Sequence, residues 1–193
     1  MTPISLIIIA SLVSARNFTS KCVNEDKYCL FGGADASGGI VFTLHAVSDG
    51  WAAFAVGSSM KGSSAIIGWR NSTGGYTIAH SYSEQRRPVL ESPVNITVLP
   101  LAVPAPSWAT IALSVLVPKE WKQDVIISPS TSYIWAIGSR PPKEIDTPSL
   151  DFSFHASKGL IGVVDFSQEA TNGTAFTTTS ITAQVTTFVL PTI

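Results

Sequence analysis

From Tyr28 to Phe166 the chain is a series of short apolar runs cut by clusters of Gly, Pro, Asn, Asp and Ser, a rhythm that leaves few folds open. Ile40–Val47 alternates, with Ile40, Phe42, Leu44 and Ala46 on one face and Val41, Thr43, His45 and Val47 on the other. Ser48-Asp49-Gly50 turns the chain into Trp51–Val56, and Ala65–Trp69 and Tyr76–Tyr82 follow around an Asn71–Gly75 turn. Asn95–Leu101, Trp108–Val117, Tyr133–Gly138 and Leu160–Phe166 continue the pattern, while Pro118–Gln123 has room for one helical turn. Helical periodicity is otherwise almost absent. The expectation is an all-β, immunoglobulin-like antiparallel β-sandwich, and 193 residues suffice for one good core but not for two large domains.

The two ends read differently from the middle. Residues 1–15 have an apolar run from Ile4 to Val13 and a small-residue Val13-Ser14-Ala15 pattern, which predicts a secretory leader too short to span a bilayer. Sequons at Asn17, Asn71, Asn95 and Asn172 agree with export as N-glycosylation sites. So do Cys22 and Cys29, the only cysteines, for which a local disulfide is the default in an oxidising compartment. Beyond Phe166 the composition shifts to Ser, Thr and Ala, so residues 167–193 read as a Ser/Thr-rich tail or linker, leaving 16–166 as the folded domain. No transmembrane helix is expected in the mature chain. With 12 basic and 13 acidic side chains, the balance gives no footprint for nucleic acid or an anionic membrane.

Candidates for chemistry are few. No H-E-x-x-H, G-x-S-x-G or Walker loop is present, and the glycine pairs near Gly33 and Gly39 lack a βα setting. Ser, His and Asp all occur, but nothing marks a triad. After the initiator, Met60 is the only methionine, and it sits between Gly57-Ser58-Ser59 and Lys61-Gly62-Ser63-Ser64. Core methionines are interchangeable gap-fillers, so a lone one at a polar rim suits ligation better than packing. Among the histidines, His45 is expected at a surface or rim, and His80 as a solvated strand residue. His155 stands where a loop leads into an apolar strand.

Gly50-Trp51-Ala52-Ala53-Phe54-Ala55-Val56-Gly57-Ser58-Ser59-Met60, with Ile66-Ile67-Gly68-Trp69 after it, resembles the haem-binding segment of DOMON-type cytochrome domains, above all that of fungal cellobiose dehydrogenase. Phe154-His155-Ala156-Ser157-Lys158-Gly159-Leu160, running on to Asp165-Phe166, resembles that family's histidine segment, and Ile134-Trp135-Ala136-Ile137-Gly138-Ser139 its preceding buried strand. The likeness runs from about Cys22 to Phe166. The residues after Met60 depart from it, being Lys-Gly-Ser-Ser where relatives are more acidic or Asn-rich.

The resemblance implies a b-type haem (haem b) with Met60 and His155 as axial ligands, on two loops drawn together at one end of the sandwich. Trp51, Phe54, Trp69 and Phe154 become candidates for its walls, and Tyr82, Arg86 and Arg87 for neighbours of its propionates. It implies one-electron transfer more than catalysis by the chain alone. By analogy the partner is a redox protein: a flavin dehydrogenase, a membrane cytochrome b or a copper polysaccharide oxidase, with a polysaccharide nearby. Two other classes stay open. One is a haem-free carbohydrate- or partner-binding module using Trp108 and Trp121, and the other a structural surface glycoprotein.

Overall fold

The computed structural model describes residues 16–83, 89–90, 96–118, 127–149, 151, 154–167 and 171–172. The expected leader, the helical turn after Pro118, Arg86, Arg87, Asn95, Trp121 and most of the tail lie outside them. All regular elements among the described residues are strands, and no described helix is long and apolar enough to cross a membrane.

In chain order they are β1 (Arg16–Asn17), β2 (Thr19–Val23), β3 (Tyr28–Ala34), β4 (Ile40–Ala46), β5 (Trp51–Val56), β6 (Ser63–Arg70) and β7 (Tyr76–Ser83). There follow β8 (Val89–Leu90), β9 (Thr97–Leu99), β10 (Ile111–Val117), β11 (Ser132–Gly138), β12 (His155–Val163) and β13 (Thr171–Asn172). A five-stranded sheet in the order β2-β3-β4-β10-β9 faces a six-stranded sheet in the order β12-β11-β5-β6-β7-β8. The strand pairs are antiparallel, so the β-sandwich expected from the apolar rhythm is what the chain forms. β1 and β13 form a separate ladder that sets two sequons side by side, with Asn17 opposite Thr171 and Asn172 opposite Arg16.

Alternation decides which residues meet between the sheets. Ile40, Phe42 and Leu44 from one sheet pack against Phe54, Ile66, Tyr133 and Trp135 from the other. Phe42 is the hub, with ring centroids 4.8 Å from Phe54, 5.9 Å from Tyr133 and 5.5 Å from Phe166. Phe54 is therefore core and not a wall of an outer site. Side chains of this size each contribute about 1.5–3 kcal/mol on burial. Cys22 and Cys29 stand opposite each other on β2 and β3 and are joined in a disulfide, as expected.

The second face of β4 departs from expectation. His45 is fully buried, because the connection from β9 to β10 folds over it. Its Nε2 is 3.2 Å from the Val103 carbonyl, and Phe31 and Trp108 lie against the ring. His80 is buried as well, on the inner face of β7, with its Nε2 3.0 Å from Ser64 Oγ. Neither histidine stands at a rim or in solvent, and both are explained by packing and hydrogen bonding.

Candidate functional site

The outer face of the six-stranded sheet carries a second, smaller apolar cluster of Trp51, Ala53, Ile67, Trp69 and Ala79, edged by Ala65, Ala136 and Ile145. Register lays these out in rows across the strands. The first runs His155, Gly138, Trp51, Trp69 and Thr77; the next, Lys158, Ala136, Ala53, Ile67 and Ala79. A third runs Leu160, Ile134, Ala55, Ala65 and Ser81, and beyond it Ser63 stands opposite Ser83.

The face is thus bulky at one end and floored by methyls and hydroxyls toward the other. At the bulky end the Trp51 ring lies across Gly138, so close that a Cβ there would come 1.9 Å from Nε1. Trp69 is fixed by its Nε1–H donating to the Ile145 carbonyl at 2.9 Å, and Thr77 Oγ1 donates to that same carbonyl at 2.6 Å. The segment after β11 is thereby tied down over this end of the face.

Met60 caps the other end. It stands in the turn from β5 to β6, 37% exposed, and Gly57 (φ +136°) and Gly62 (φ +72°) give that turn its shape. Both are conformations that side chains with a Cβ adopt only under strain. The turn is held from three sides. Gly57 N–H donates to the Ser132 carbonyl at 2.8 Å, Gly62 N–H to the Ser83 carbonyl at 2.6 Å, and Ser63 Oγ to the Met60 carbonyl at 2.8 Å.

His155 is the first residue of β12, not a loop residue, and pairs with Gly138 in the row of Trp51. Met60 lies beyond Val56, at the far end of β5 from Trp51. The expectation that both would meet at one end of the sandwich is therefore not met. They stand at opposite ends of one face, five strand steps of about 3.3 Å each separating Trp51 from Val56. The sequence could not reveal this, because the placement depends on how β12 registers on β11 across two irregularities.

Partial burial, with the Lys158 ammonium adding to it, lowers the pKa of His155 from its ordinary value. At neutral pH the imidazole therefore keeps a lone pair to donate. Phe154 beside it is 92% exposed and walls nothing in this structure. Tyr82 lies on the inner face at the Met60 end, paired with Ser64.

One residue that sequence reasoning missed is Ser83. It is 2% exposed on the outer face next to the Met60 turn, and its Oγ has no hydrogen-bond partner among the described residues. The small-residue floor suits a flat, apolar group, but Met60 and His155, at its two ends, stand too far apart in this structure to bind one iron from its two sides. Groups of three or more His, Cys, Asp or Glu that could hold a bare metal ion are absent among the described residues.

A second concavity lies away from this face. An open apolar groove of about 270 Å³ is lined by Val98, Leu101 and Leu113, with Arg70 stacked on Tyr76 at its mouth. Trp108, on the loop that also supplies Ala105 and Ala109 to this groove, is 39% exposed.

Comparison with known proteins agrees with the β-sandwich fold. The family model described as the cytochrome domain of cellobiose dehydrogenase matches residues 34–178. Among solved structures, the cytochrome b domain of pyranose dehydrogenase from Coprinopsis cinerea superposes with a TM-score of 0.62 at 16% identity, covering 74% of this chain and 79% of that one. The cytochrome domain of Myriococcum thermophilum cellobiose dehydrogenase gives 0.59 at 13% identity, covering 81% and 91%. Comparison with curated protein sequences gives no match. The structural likenesses carry the fold; the family assignment rests on the sequence match.

Proposed function

Since this chain belongs to the family of cellobiose dehydrogenase cytochrome domains, we propose that it is a secreted b-type cytochrome whose haem is held by Met60 and His155. The observation that carries the reading is the sequence match to that family over residues 34–178; in this structure Met60 and His155 stand at opposite ends of one face, so holding one iron between them would require the two segments to move toward each other. When bound, the haem supplies a one-electron ferric/ferrous couple, whose potential a thioether ligand raises.

The chain's own residues do the rest. Trp51 and Trp69 close the His155 end and exclude water from it. The hydrogen bonds of Gly57, Gly62 and Ser63 hold the Met60 turn in one shape. The lowered pKa of His155 keeps it unprotonated, which ligation requires. Without C-x-x-C-H the haem is not covalently attached and can be removed. Were Met60 and His155 both to hold the iron, the haem would supply electron transfer rather than substrate turnover.

Export is supported by the leader-like residues 1–15, by the Cys22–Cys29 disulfide and by the sequons at Asn17, Asn71, Asn95 and Asn172. The partners in view are a flavin dehydrogenase, a membrane cytochrome b or a copper polysaccharide oxidase. Residues 167–193 are proposed as the tail or tether, although the family match runs on to 178 and β13 falls inside that stretch.

The test is an absorption spectrum of the protein produced with haem available. Sharp reduced α and β bands of six-coordinate low-spin haem are expected. Met60→Ala lowers the potential or gives a high-spin spectrum, His155→Ala abolishes the low-spin form, and His80→Ala changes neither. Haem binding lost in His80→Ala and kept in His155→Ala would overturn the ligand assignment. A folded, colourless protein that refuses added haem would instead favour a binding module built on the groove beside Arg70 and on half-exposed Trp108.

A further inference from the structure

β9 is only three residues long and covers little of β10. Thr97, Val98 and Leu99 pair with Leu116, Val115 and Ser114, and there the ladder stops. The chain then leaves the sheet edge, with Ala102 N–H donating to Ser114 Oγ at 3.0 Å. The open groove of about 270 Å³ lies where the ladder ends, beside Ala112 and Leu113. Side chains from the facing sheet meet the backbone groups that β9 does not reach. Ala112 N–H donates to Tyr76 Oη at 2.9 Å, and Arg70 Nε–H donates to the Thr110 carbonyl at 2.9 Å.

Two features of this groove have no use in holding the fold together. Val98 and Leu101 in its lining are 57% and 44% exposed, apolar surface that a ligand would take out of water. The Arg70 guanidinium carbon lies 5.4 Å from the Tyr76 ring centroid, and with Nε engaged, Nη1 and Nη2 have no partner among the described residues. A guanidinium oriented by a ring and by one hydrogen bond keeps a planar pair of donors, which matches a carboxylate.

We infer that this groove binds a medium-chain aliphatic carboxylate, with its chain against Val98, Leu101 and Leu113 and its head on the Arg70 guanidinium. The lining selects the chain. It is built of Ala, Val and Leu, and its one ring, Tyr76, already faces Arg70, which favours an alkyl body over a sugar or an aromatic one. Arg70 is the one charged residue among the described lining, so an anionic head is favoured over a cationic one. At roughly 30 Å³ for each water-sized group, 270 Å³ holds about nine or ten of them, the size of octanoate. The groove lies away from the outer face of the six-stranded sheet, and the inference does not rest on the haem reading.

The test is a calorimetric titration of the full chain with octanoate, octanol and octylammonium. Octanoate binds saturably at one site, octanol about fivefold more weakly, and octylammonium more weakly still. Arg70→Gln brings octanoate down to the affinity of octanol and leaves octanol unchanged. Leu101→Glu alters an exposed wall and not the core, so it melts with the wild type, yet it binds octanoate about tenfold more weakly because its carboxylate repels the ligand's. Equal affinity for octanoate and octanol in the wild type overturns the inference, as does octanoate binding that survives both substitutions unchanged. Absence of saturable octanoate binding overturns it as well, and a cello-oligosaccharide that binds the wild type but not Leu101→Glu would give the groove to carbohydrate instead. Each of these outcomes can be read whether or not the protein takes up haem, so the inference and the cytochrome reading stand or fall separately.

Discussion

A single imidazole under a loop gives the fold a pH dependence of its own. His45 is buried against Phe31, Trp108 and the Val103 carbonyl, and burial lowers its pKa, the carbonyl hydrogen bond opposing only part of that shift. In the unfolded chain the same residue titrates at its ordinary value of 6.5. Below that pH the unfolded state binds the extra proton, so the contribution of neutral His45 is complete above 6.5 and declines as pH falls toward the folded value. Denaturant melts of the haem-free protein should therefore lose stability between pH 7.5 and pH 5.5, and His45→Gln should flatten that slope. A slope unchanged in the variant would assign the loss elsewhere. Gly138 bears on the site more directly. Gly138→Ala drives a methyl into the Trp51 ring, an overpacking that costs about 1–3 kcal/mol unless the indole moves. A lower melting temperature together with a shifted Trp emission would report both responses.

The hairpin that presents Met60 is an element whose sequence states its purpose only in part. Its two strands are legible from their apolar runs, and the lone methionine from its rarity. The hydrogen bonds that hold the turn join it to β7 and β11, strands that no local pattern ties to it. Gly62 has open space around its missing Cβ and φ of +72°, so Gly62→Ala tests backbone strain without a clash. A loss of about 1–2 kcal/mol is expected, with part of the methionine-ligated spectrum giving way to high-spin haem. The β2–β3 hairpin makes the control. Its disulfide closes only a short loop and lies on the other sheet, so replacing Cys22 and Cys29 by Ser should cost about 2 kcal/mol and leave the haem spectrum unchanged.

Across the whole molecule, the sandwich was legible because Ile40–Ala46, Trp51–Val56 and Tyr133–Gly138 announce themselves as strands wherever they end up. Which strand neighbours which was not legible. β11 inserts between β12 and β5, a pairing of segments far apart in the chain, and that insertion sends His155 to the end of the face opposite Met60. The burial of His45 was hidden for a similar reason: its cover comes from a loop more than fifty residues downstream. Charge is the global property that composition does report, and it constrains how electrons leave. With 12 basic and 13 acidic side chains and a formal net charge of −1, the molecule has little long-range field to steer a charged acceptor. Oxidation of the reduced protein by ferricyanide, followed by stopped flow, should change by no more than about twofold between roughly 0.02 and 0.5 M salt. The small change should be a rise, since screening weakens repulsion between like charges. Tris(phenanthroline)cobalt(III), a cationic acceptor, should give an equally shallow trend of opposite sign. A steep dependence with either acceptor would reveal a local patch at the exit point, and its sign would identify the patch as acidic or basic.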